Sequence, residues 1–255
     1  MLGRRTLLTV GLAVPALGLA GRTLAQVPVP TPAAPSLEEL RLHTDWPFLQ
    51  RYAAENAVDR NLPAERRRVV FIGDSITQGW RDSHPDFFVA HGFIGRGIGG
   101  QVTAQMLVRF WSDVIALKPA AVHILAGVND VAENAGSYDP AATRANLQAM
   151  TVLAQASGVR VILATITPVA EFPWKPGLGP TVKVATLNAW LRTWAAERGA
   201  TLADYTSVLD DGQGGMKPGL AYDGVHPTRE GYAAMEPVTL DAVARALAGR
   251  AQKAA

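Results

Sequence analysis

The chain has the size and composition of one globular α/β domain, because 255 residues of which 48% are hydrophobic and 18% charged can bury a sizeable core. It contains no cysteine, which excludes disulfides, thiolate catalysis and zinc-ribbon sites. The formal net charge is +2 and falls to −1 when the three arginines of residues 1–25 are removed as a leader, so basicity gives no argument for a nucleic-acid partner.

The N-terminal segment has the pattern of an export signal. Arg4 and Arg5 precede an apolar run over residues 7–20, and Thr23-Leu24-Ala25 follows it ahead of Gln26. The run is shorter than the roughly 20 residues that a membrane-spanning helix needs, and the paired arginines favour the twin-arginine route. We therefore predict that residues 1–25 are removed on export. The mature protein is then periplasmic or secreted and has no stable membrane span; an uncleaved anchor is the alternative.

Residues 26–35 carry four prolines and predict an extended spacer that cannot bury a core. Ser36 and Glu39 have the spacing of a capping box for a short helix. We place the start of the catalytic domain here, and predict that it spans residues 36–255.

From Arg68 onward, short apolar runs rich in β-branched residues alternate with helical patterns. Runs that are apolar on both faces are typical of parallel strands covered by helices above and below. The predicted strands are Val69–Ile72, Phe93–Ile94, Val122–Leu125, Val159–Ile166 and Thr201–Ala203. The rhythm therefore predicts an α/β fold with an open sheet of about five parallel strands.

The intervening segments have helical periodicity, and Gly158 and Gly199 supply two of the stop signals. The predicted helices are Thr103–Leu117, Pro140–Ser157, Val182–Arg198 and Thr228–Ala248. Pro237 lies inside the last of these and is expected to kink or divide it.

Four polar motifs occur at the expected carboxyl edge of this sheet, where open α/β sheets bind their ligands. They are Gly73-Asp74-Ser75, Gly99-Gly100, Gly127-Val128-Asn129-Asp130 and, before the last helix, Asp223-Gly224-Val225-His226. Each motif is weak by itself. Together they indicate an active site at this edge.

The residue types suit acyl transfer. A serine hydroxyl becomes a good nucleophile when a base takes its proton and a third group orients that base, and Ser75, His226 and Asp223 fit these parts. The backbone N–H groups of Ser75 and Gly100, with the side-chain amide of Asn129, are candidate donors to the oxyanion. A simpler interpretation makes Ser75 a helix N-cap, Asn129 part of a turn and His226 a solvated turn residue.

The other histidines and the known metal, dinucleotide and nucleophile-elbow motifs give weaker indications of function. His123 lies in an apolar strand and is expected to be a core residue, while His43, His84 and His91 have no carboxylate at useful sequence spacing. No metal signature occurs in the sequence, so we expect no metal site. Residues 95–100 match the dinucleotide fingerprint, but they follow the second strand and lack a ribose-binding acid, so we expect no cofactor. The chain also lacks the Gly-x-Ser-x-Gly nucleophile elbow.

The four motifs resemble those of the GDSL, or SGNH, hydrolase family over residues 71–227, with Ile76 in place of the leucine. The resemblance implies Ser75 as nucleophile, His226 as base with Asp223 as its partner, and Gly100 and Asn129 as oxyanion donors. It also implies a three-layer α/β/α flavodoxin-like fold, no cofactor, and ester or thioester substrates. The Ile94 to Gly100 segment resembles the branch with platelet-activating-factor acetylhydrolase-like and carbohydrate acetylesterase-like members.

These observations predict an exported serine esterase that removes a small acyl group, such as acetyl, from a small-molecule or glycan ester. Trp80 and Trp174 lie in predicted loops, at 80–86 and 168–180, where they can stack on sugars; packing in the core or at its rim is the alternative for each. A lysophospholipase or thioesterase is the enzymatic alternative. A non-catalytic carbohydrate-binding protein on the same fold is the alternative of another class.

Overall fold

Short segments of mostly apolar sequence pair as a parallel β-sheet in the computed structural model, which describes residues 36–248. The strands are β1 (Val69–Gly73), β2 (Phe93–Gly97), β3 (Ala121–Leu125), β4 (Arg160–Ala164) and β5 (Thr201–Ala203). Their order across the sheet is β2-β1-β3-β4-β5. The five strands lie where the sequence predicts them, although β2 is longer and β4 shorter than expected.

The register of the sheet brings the ends of β1, β2 and β3 together. Gly73, the last residue of β1, pairs with Gly97 of β2 on one side and with Leu125 of β3 on the other. The loops that follow β1, β2 and β3 therefore leave the sheet at one level. This level is the carboxyl edge, where the polar motifs are expected.

The helices occupy the segments between the strands. They are α1 (Leu37–Thr44), α2 (Ala53–Asp59), α3 (Ser75–Ser83), α4 (Pro85–His91), α5 (Thr103–Asp113), α6 (Val128–Val131), α7 (Pro140–Ala156), α8 (Pro180–Arg198), α9 (Thr206–Leu209) and α10 (Arg229–Ala248). Short 3-10 turns occur at Ala64–Arg66 and Ile115–Leu117. Helices α3, α4 and α10 pack on one face of the sheet, and α5, α7 and α8 on the other. The three-layer α/β/α arrangement that the family resemblance implies is confirmed.

A cluster of aromatic rings holds the layer of α3 and α10 against the sheet. The Trp80 indole is fully buried, stacks on Tyr232 at 5.7 Å between ring centroids and meets Phe71 edge-on at 5.9 Å. Trp80 therefore lies on the buried face of α3 and packs in the core, which is the alternative that the sequence left open, and the sugar-stacking loop is wrong for this residue. The predicted loop at 80–86 is the end of α3 and the start of α4, because Ile76 and Trp80 bury one helical face.

Helix α10 runs through Pro237 without interruption, so the alternative in which this proline divides the helix is wrong. The predicted helix at 103–117 ends at Asp113 and continues as a 3-10 turn. Among the described residues, none of the helices combines the length and apolar character needed to cross a membrane. The predicted leader and spacer, residues 1–35, lie outside the described residues.

Candidate active site

Ser75 lies at the turn from β1 into α3. A Cβ on Gly73 would lie 2.7 Å from the Leu125 carbonyl oxygen, so only glycine fits where the chain leaves the sheet. Asp74 caps the helix, because its Oδ1 accepts a hydrogen bond of 2.9 Å from the Ile76 N–H. Ser75 is thus the first residue of α3, and its hydroxyl is not used for capping.

The Ser75 hydroxyl meets the imidazole of a residue 151 positions further along the chain. Ser75 Oγ lies 2.9 Å from His226 Nε2, and His226 Nδ1 lies 2.7 Å from Asp223 Oδ2. Since the ionised carboxylate only accepts, Nδ1 carries the proton and Nε2 can accept from the serine. Such a chain can remove the proton from a serine hydroxyl as it attacks a carbonyl carbon.

The environment keeps Asp223 ionised. Partial burial raises the pKa of its carboxyl, but hydrogen bonds from the backbone and ring of His226 and from the Val225 N–H outweigh this and hold the pKa below its ordinary value. The carboxylate is therefore negative at neutral pH and can stabilise a positive charge on the imidazole.

The two other candidate oxyanion residues lie in the loops after β2 and β3. Gly100 has φ +75° and open space around its α-carbon, a conformation that favours glycine. The amide of Asn129, at the start of α6, is 4% exposed and donates from Nδ2 to the Gln101 carbonyl oxygen at 3.0 Å. The bond to Gln101 ties the two loops together, one residue beyond Gly100. A Cβ on Gly99 would lie 3.8 Å from Ser75 Cβ, so the β2 loop borders the serine.

Residues 71–234 match the GDSL-like lipase/acylhydrolase family. The chain belongs to this family. The family predicted from the four motifs is confirmed, and this GDSL hydrolase is an ester-hydrolysing enzyme.

Solved structures agree with the family match. A Bacteroides fragilis protein described as an acylhydrolase has 45% sequence identity and a TM-score of 0.76, covering 80% of this chain and 99% of its own. A GDSL-like lipase from Bacteroides thetaiotaomicron has 42% identity and a TM-score of 0.75, covering 80% of this chain and 100% of its own. An acetylxylan esterase from Geobacillus stearothermophilus shares the fold at 20% identity and a TM-score of 0.56, over 69% of this chain and 94% of its own.

A curated protein also resembles the GDSL hydrolase over a shorter stretch. An uncharacterised lipoprotein of Bacillus subtilis is 30% identical over an alignment of 120 residues, which covers 40% of this chain. The match spans about half the length of that relative, 49%.

The acidic neighbours of the GDSL hydrolase's serine and amide, Asp74 and Asp130, accept hydrogen bonds from nearby backbone and hydroxyl groups. Asp130 accepts hydrogen bonds from the N–H and hydroxyl of Thr103, at 2.9 and 2.6 Å. Asp74 is fully buried, and its Oδ2 has no hydrogen-bond partner among the described residues. Burial raises the pKa of Asp74 to about 7, against the Ile76 N–H bond and the nearby His226, which lower it.

Sequence reasoning missed a buried arginine behind the site. Arg109 is fully buried and donates to the Gly73 carbonyl oxygen at 2.9 Å, to Gln101 Oε1 at 2.6 Å and to Asp113 Oδ2 at 3.0 Å. It thereby joins the end of β1, just before Ser75, to the loop of Gly100. The signal was an Arg–Asp pair at i, i+4 spacing on the apolar face of a predicted helix.

Two aromatic rings flank the imidazole of His226. The Tyr222 ring stacks on it with centroids 5.5 Å apart and 13° between planes, and the Trp174 ring lies 6.0 Å away at 38°. Tyr222 is 71% exposed and Trp174 44% exposed, so both rings can also meet a ligand. The sequence pointed to Trp174 but not to Tyr222, because a lone tyrosine before the Asp-x-x-His motif has no distinctive pattern.

The remaining histidines of the described part have other roles. His123 is fully buried, with Nε2 2.8 Å from the Tyr205 hydroxyl, and burial lowers its pKa to about 3. The prediction of a core residue is confirmed. His84 does have a carboxylate partner, Glu236 Oε1 at 3.0 Å, supplied by α10 and invisible to sequence spacing. Within residues 36–248, no three His, Asp or Glu side chains cluster as metal ligands do.

Proposed function

We propose that this GDSL hydrolase is an exported serine esterase in which Ser75, His226 and Asp223 form the catalytic triad. The observation that carries the proposal is the continuous hydrogen-bonded chain from Asp223 Oδ2 through the imidazole to Ser75 Oγ, with distances of 2.7 and 2.9 Å. These are ordinary hydrogen-bond lengths, and they place the base within reach of the proton it must take.

The reaction proceeds in two halves. Ser75 Oγ attacks the ester carbonyl carbon while its proton moves to His226 Nε2, and Asp223 stabilises the imidazolium that forms. The imidazolium then gives this proton to the oxygen of the departing alcohol, leaving an acyl group on Ser75. A water molecule, activated by the same imidazole, attacks the acyl carbon and releases the acid.

Three N–H donors are proposed to bind the oxyanion. The Ser75 N–H is at the first position of α3, where helix N–H groups have no partner within the helix, and the helix dipole favours negative charge there. The Gly100 N–H and Asn129 Nδ2 complete the set. Removing one donor of this kind slows catalysis about 10²- to 10³-fold.

We propose acetyl esters of carbohydrates as the substrate class. The support is the exposed pair Tyr222 and Trp174 beside His226. Because His226 protonates the leaving oxygen, these rings lie on the side of the departing alcohol, and aromatic faces suit the apolar faces of sugar rings. Export is supported by the pattern of residues 1–25 and agrees with the lipoprotein name of the Bacillus subtilis relative.

The catalytic proposal is tested by Ser75→Ala. We expect kcat for p-nitrophenyl acetate to fall by about 10³-fold or more while the circular dichroism spectrum and melting temperature stay those of the parent. Ser83→Ala is the matched control, because Ser83 lies in the same helix with its hydroxyl bound to the Gly79 carbonyl oxygen. It should keep kcat within about twofold. Unchanged turnover in Ser75→Ala would remove the mechanism.

Substrate class and export need separate tests. Comparing kcat/KM for p-nitrophenyl acetate and p-nitrophenyl decanoate decides the acyl preference, and a preference for decanoate supports a lysophospholipase instead. Release of acetate from acetylated xylo-oligosaccharides tests the glycan part. Sequencing the N-terminus of the protein from the periplasm or medium tests export, with Gln26 expected as the first residue.

A further inference from the structure

A chain of hydrogen bonds leads from the surface of the protein to the side-chain amide of Asn129. Trp174 Nε1 donates to Asn134 Oδ1 at 3.2 Å, and Asn134 Nδ2 donates to Asn129 Oδ1 at 2.6 Å. Asn129 Nδ2 then donates to the Gln101 carbonyl oxygen at 3.0 Å. The chain begins at an indole that is 44% exposed and ends at an amide that is 4% exposed.

The chemistry at both ends of this chain fixes the direction of every bond in it. An indole N–H can only donate, and a backbone carbonyl can only accept. Asn134 must therefore present its oxygen to Trp174 and its nitrogen to Asn129. Asn129 must in turn present its oxygen to Asn134, which leaves its nitrogen on the opposite side.

We propose that Asn134 is a positioning residue that keeps the Asn129 amide nitrogen facing the oxyanion, with Trp174 as the outer anchor. The inference rests on the proposed role of Asn129 as an oxyanion donor. An amide is nearly symmetric in shape, so packing alone selects weakly between its two orientations, and hydrogen-bond partners must make the choice. If the amide rotated by half a turn, a carbonyl oxygen would face the developing negative charge and oppose it.

Additional contacts hold together the two loops that carry this relay, the hydrogen-bonded series Trp174–Asn134–Asn129. Lys175 Nζ donates to the Glu133 carbonyl oxygen at 2.7 Å, and the Lys183 ammonium lies 3.5 Å from the Glu133 carboxylate. The first contact joins the neighbour of Trp174 to the neighbour of Asn134, and the second ties Glu133 to α8. The indole of Trp174 also flanks His226, so one surface ring contacts both the base and, through Asn134, the oxyanion amide.

The test compares two substitutions of the exposed Asn134. In Asn134→Asp, a carboxylate that cannot donate faces Asn129 Oδ1 and favours the wrong orientation, so kcat should fall about 10- to 100-fold with KM little changed. Asn134→Ala removes the donor without adding repulsion and should cost about three- to tenfold in kcat. Ser137→Asp places the same charge three residues away in the same exposed loop and should keep kcat within about twofold.

A double-mutant cycle separates this role from a general structural one. Asn129→Ala should lower kcat about 100-fold, and adding Asn134→Asp to it should cost less than about twofold more, because the amide that Asn134 orients is gone. If the kcat losses of the two single variants multiply in the double variant, the relay is overturned, while the oxyanion role of Asn129 stays intact. The relay would also be overturned if Asn134→Asp kept full activity while Asn129→Ala was impaired. If Asn129→Ala itself is fully active, the oxyanion role falls and the relay falls with it.

Discussion

Asp223 holds His226 with both oxygens of one carboxylate. Its Oδ2 lies 2.7 Å from the ring Nδ1, and its Oδ1 accepts the backbone N–H of His226 at 2.8 Å. The ring and the main chain of the histidine are thus fixed by the same group. The imidazole is left with one free nitrogen, Nε2, and that nitrogen faces Ser75.

Asp223→Asn should therefore impair catalysis far more than folding. An amide has only one oxygen, so when that oxygen keeps the backbone N–H bonds made by Oδ1, the NH₂ group faces the ring Nδ1 and favours the tautomer with the proton on Nε2. We expect kcat near neutral pH to fall about 10³- to 10⁴-fold, measured with p-nitrophenyl acetate. A loss smaller than tenfold, with the fold intact, would contradict the proposed tautomer role.

Asp74 should make stability depend on pH in the direction opposite to most carboxylates. Burial raises its folded-state pKa to about 7 from an ordinary value of 3.8. Between these values the unfolded chain is ionised at this position and the folded chain is protonated, so raising the pH favours unfolding. The cost is absent at low pH and complete above about pH 7, with an upper bound of about 4 kcal/mol.

The variant that checks this is Asp74→Asn, which keeps an oxygen for the Ile76 N–H and cannot ionise. Its free energy of unfolding relative to the parent should rise between about pH 4 and about pH 7 and then stay level, as measured by urea denaturation. Fixed costs of the new NH₂ group shift the whole curve but do not alter its slope. A difference that does not change with pH would show that folding does not raise the pKa of Asp74.

Gly97 and Gly100 should respond differently to alanine. A Cβ at Gly97 would lie 2.7 Å from the Asp74 carbonyl oxygen, a backbone atom that cannot move without displacing the nucleophile turn. Gly97→Ala should therefore lower the free energy of unfolding by about 3 kcal/mol or more. A Cβ at Gly100 would meet nothing within 4 Å, but the residue has φ +75°.

Gly100→Ala should consequently fold, with stability lower by about 1–2 kcal/mol. Its kcat should fall more than about tenfold, because relaxation toward negative φ turns the proposed oxyanion N–H away from the site. Thermal melts and kcat of the two variants check this. Equal destabilisation of both would refute the assignment of Gly97 to a steric role.

Arg109 should be costly to remove because its partner Asp113 is also fully buried. Arg109→Met leaves that carboxylate without its cation, and we expect a loss of about 3–5 kcal/mol in the free energy of unfolding. Asp241 is the matched control, since its pair with Arg245 is exposed on both sides. Asp241→Asn should change stability by less than about 1 kcal/mol, and similar losses in both variants would show that burial of Arg109 is not decisive.

Much of the fold followed from local patterns. The strands are recognisable in the sequence because a strand buried on both faces must be apolar at consecutive positions, as from Val69 to Ile72. Helix α3 is not among the predicted helices because it is short, and its apolar positions, Ile76 and Trp80, are too few to show a clear helical period. Its cap, Asp74, is part of the same motif that drew attention to Ser75.

The sequence by itself determined the order of the strands, the family, and the candidate site residues Ser75, Asn129, Asp223 and His226, because motifs at strand ends are local and the carboxyl ends of parallel strands share one edge. Only the tertiary structure decided which partners orient those groups. Gln101 meets Asn129, and Arg109 meets Gly73, across 28 and 36 positions of the chain, and a contact between distant residues leaves no pattern in either segment alone. Asn134 and Tyr222 are close in sequence to Asn129 and His226, but only the folded loops show that these side chains meet.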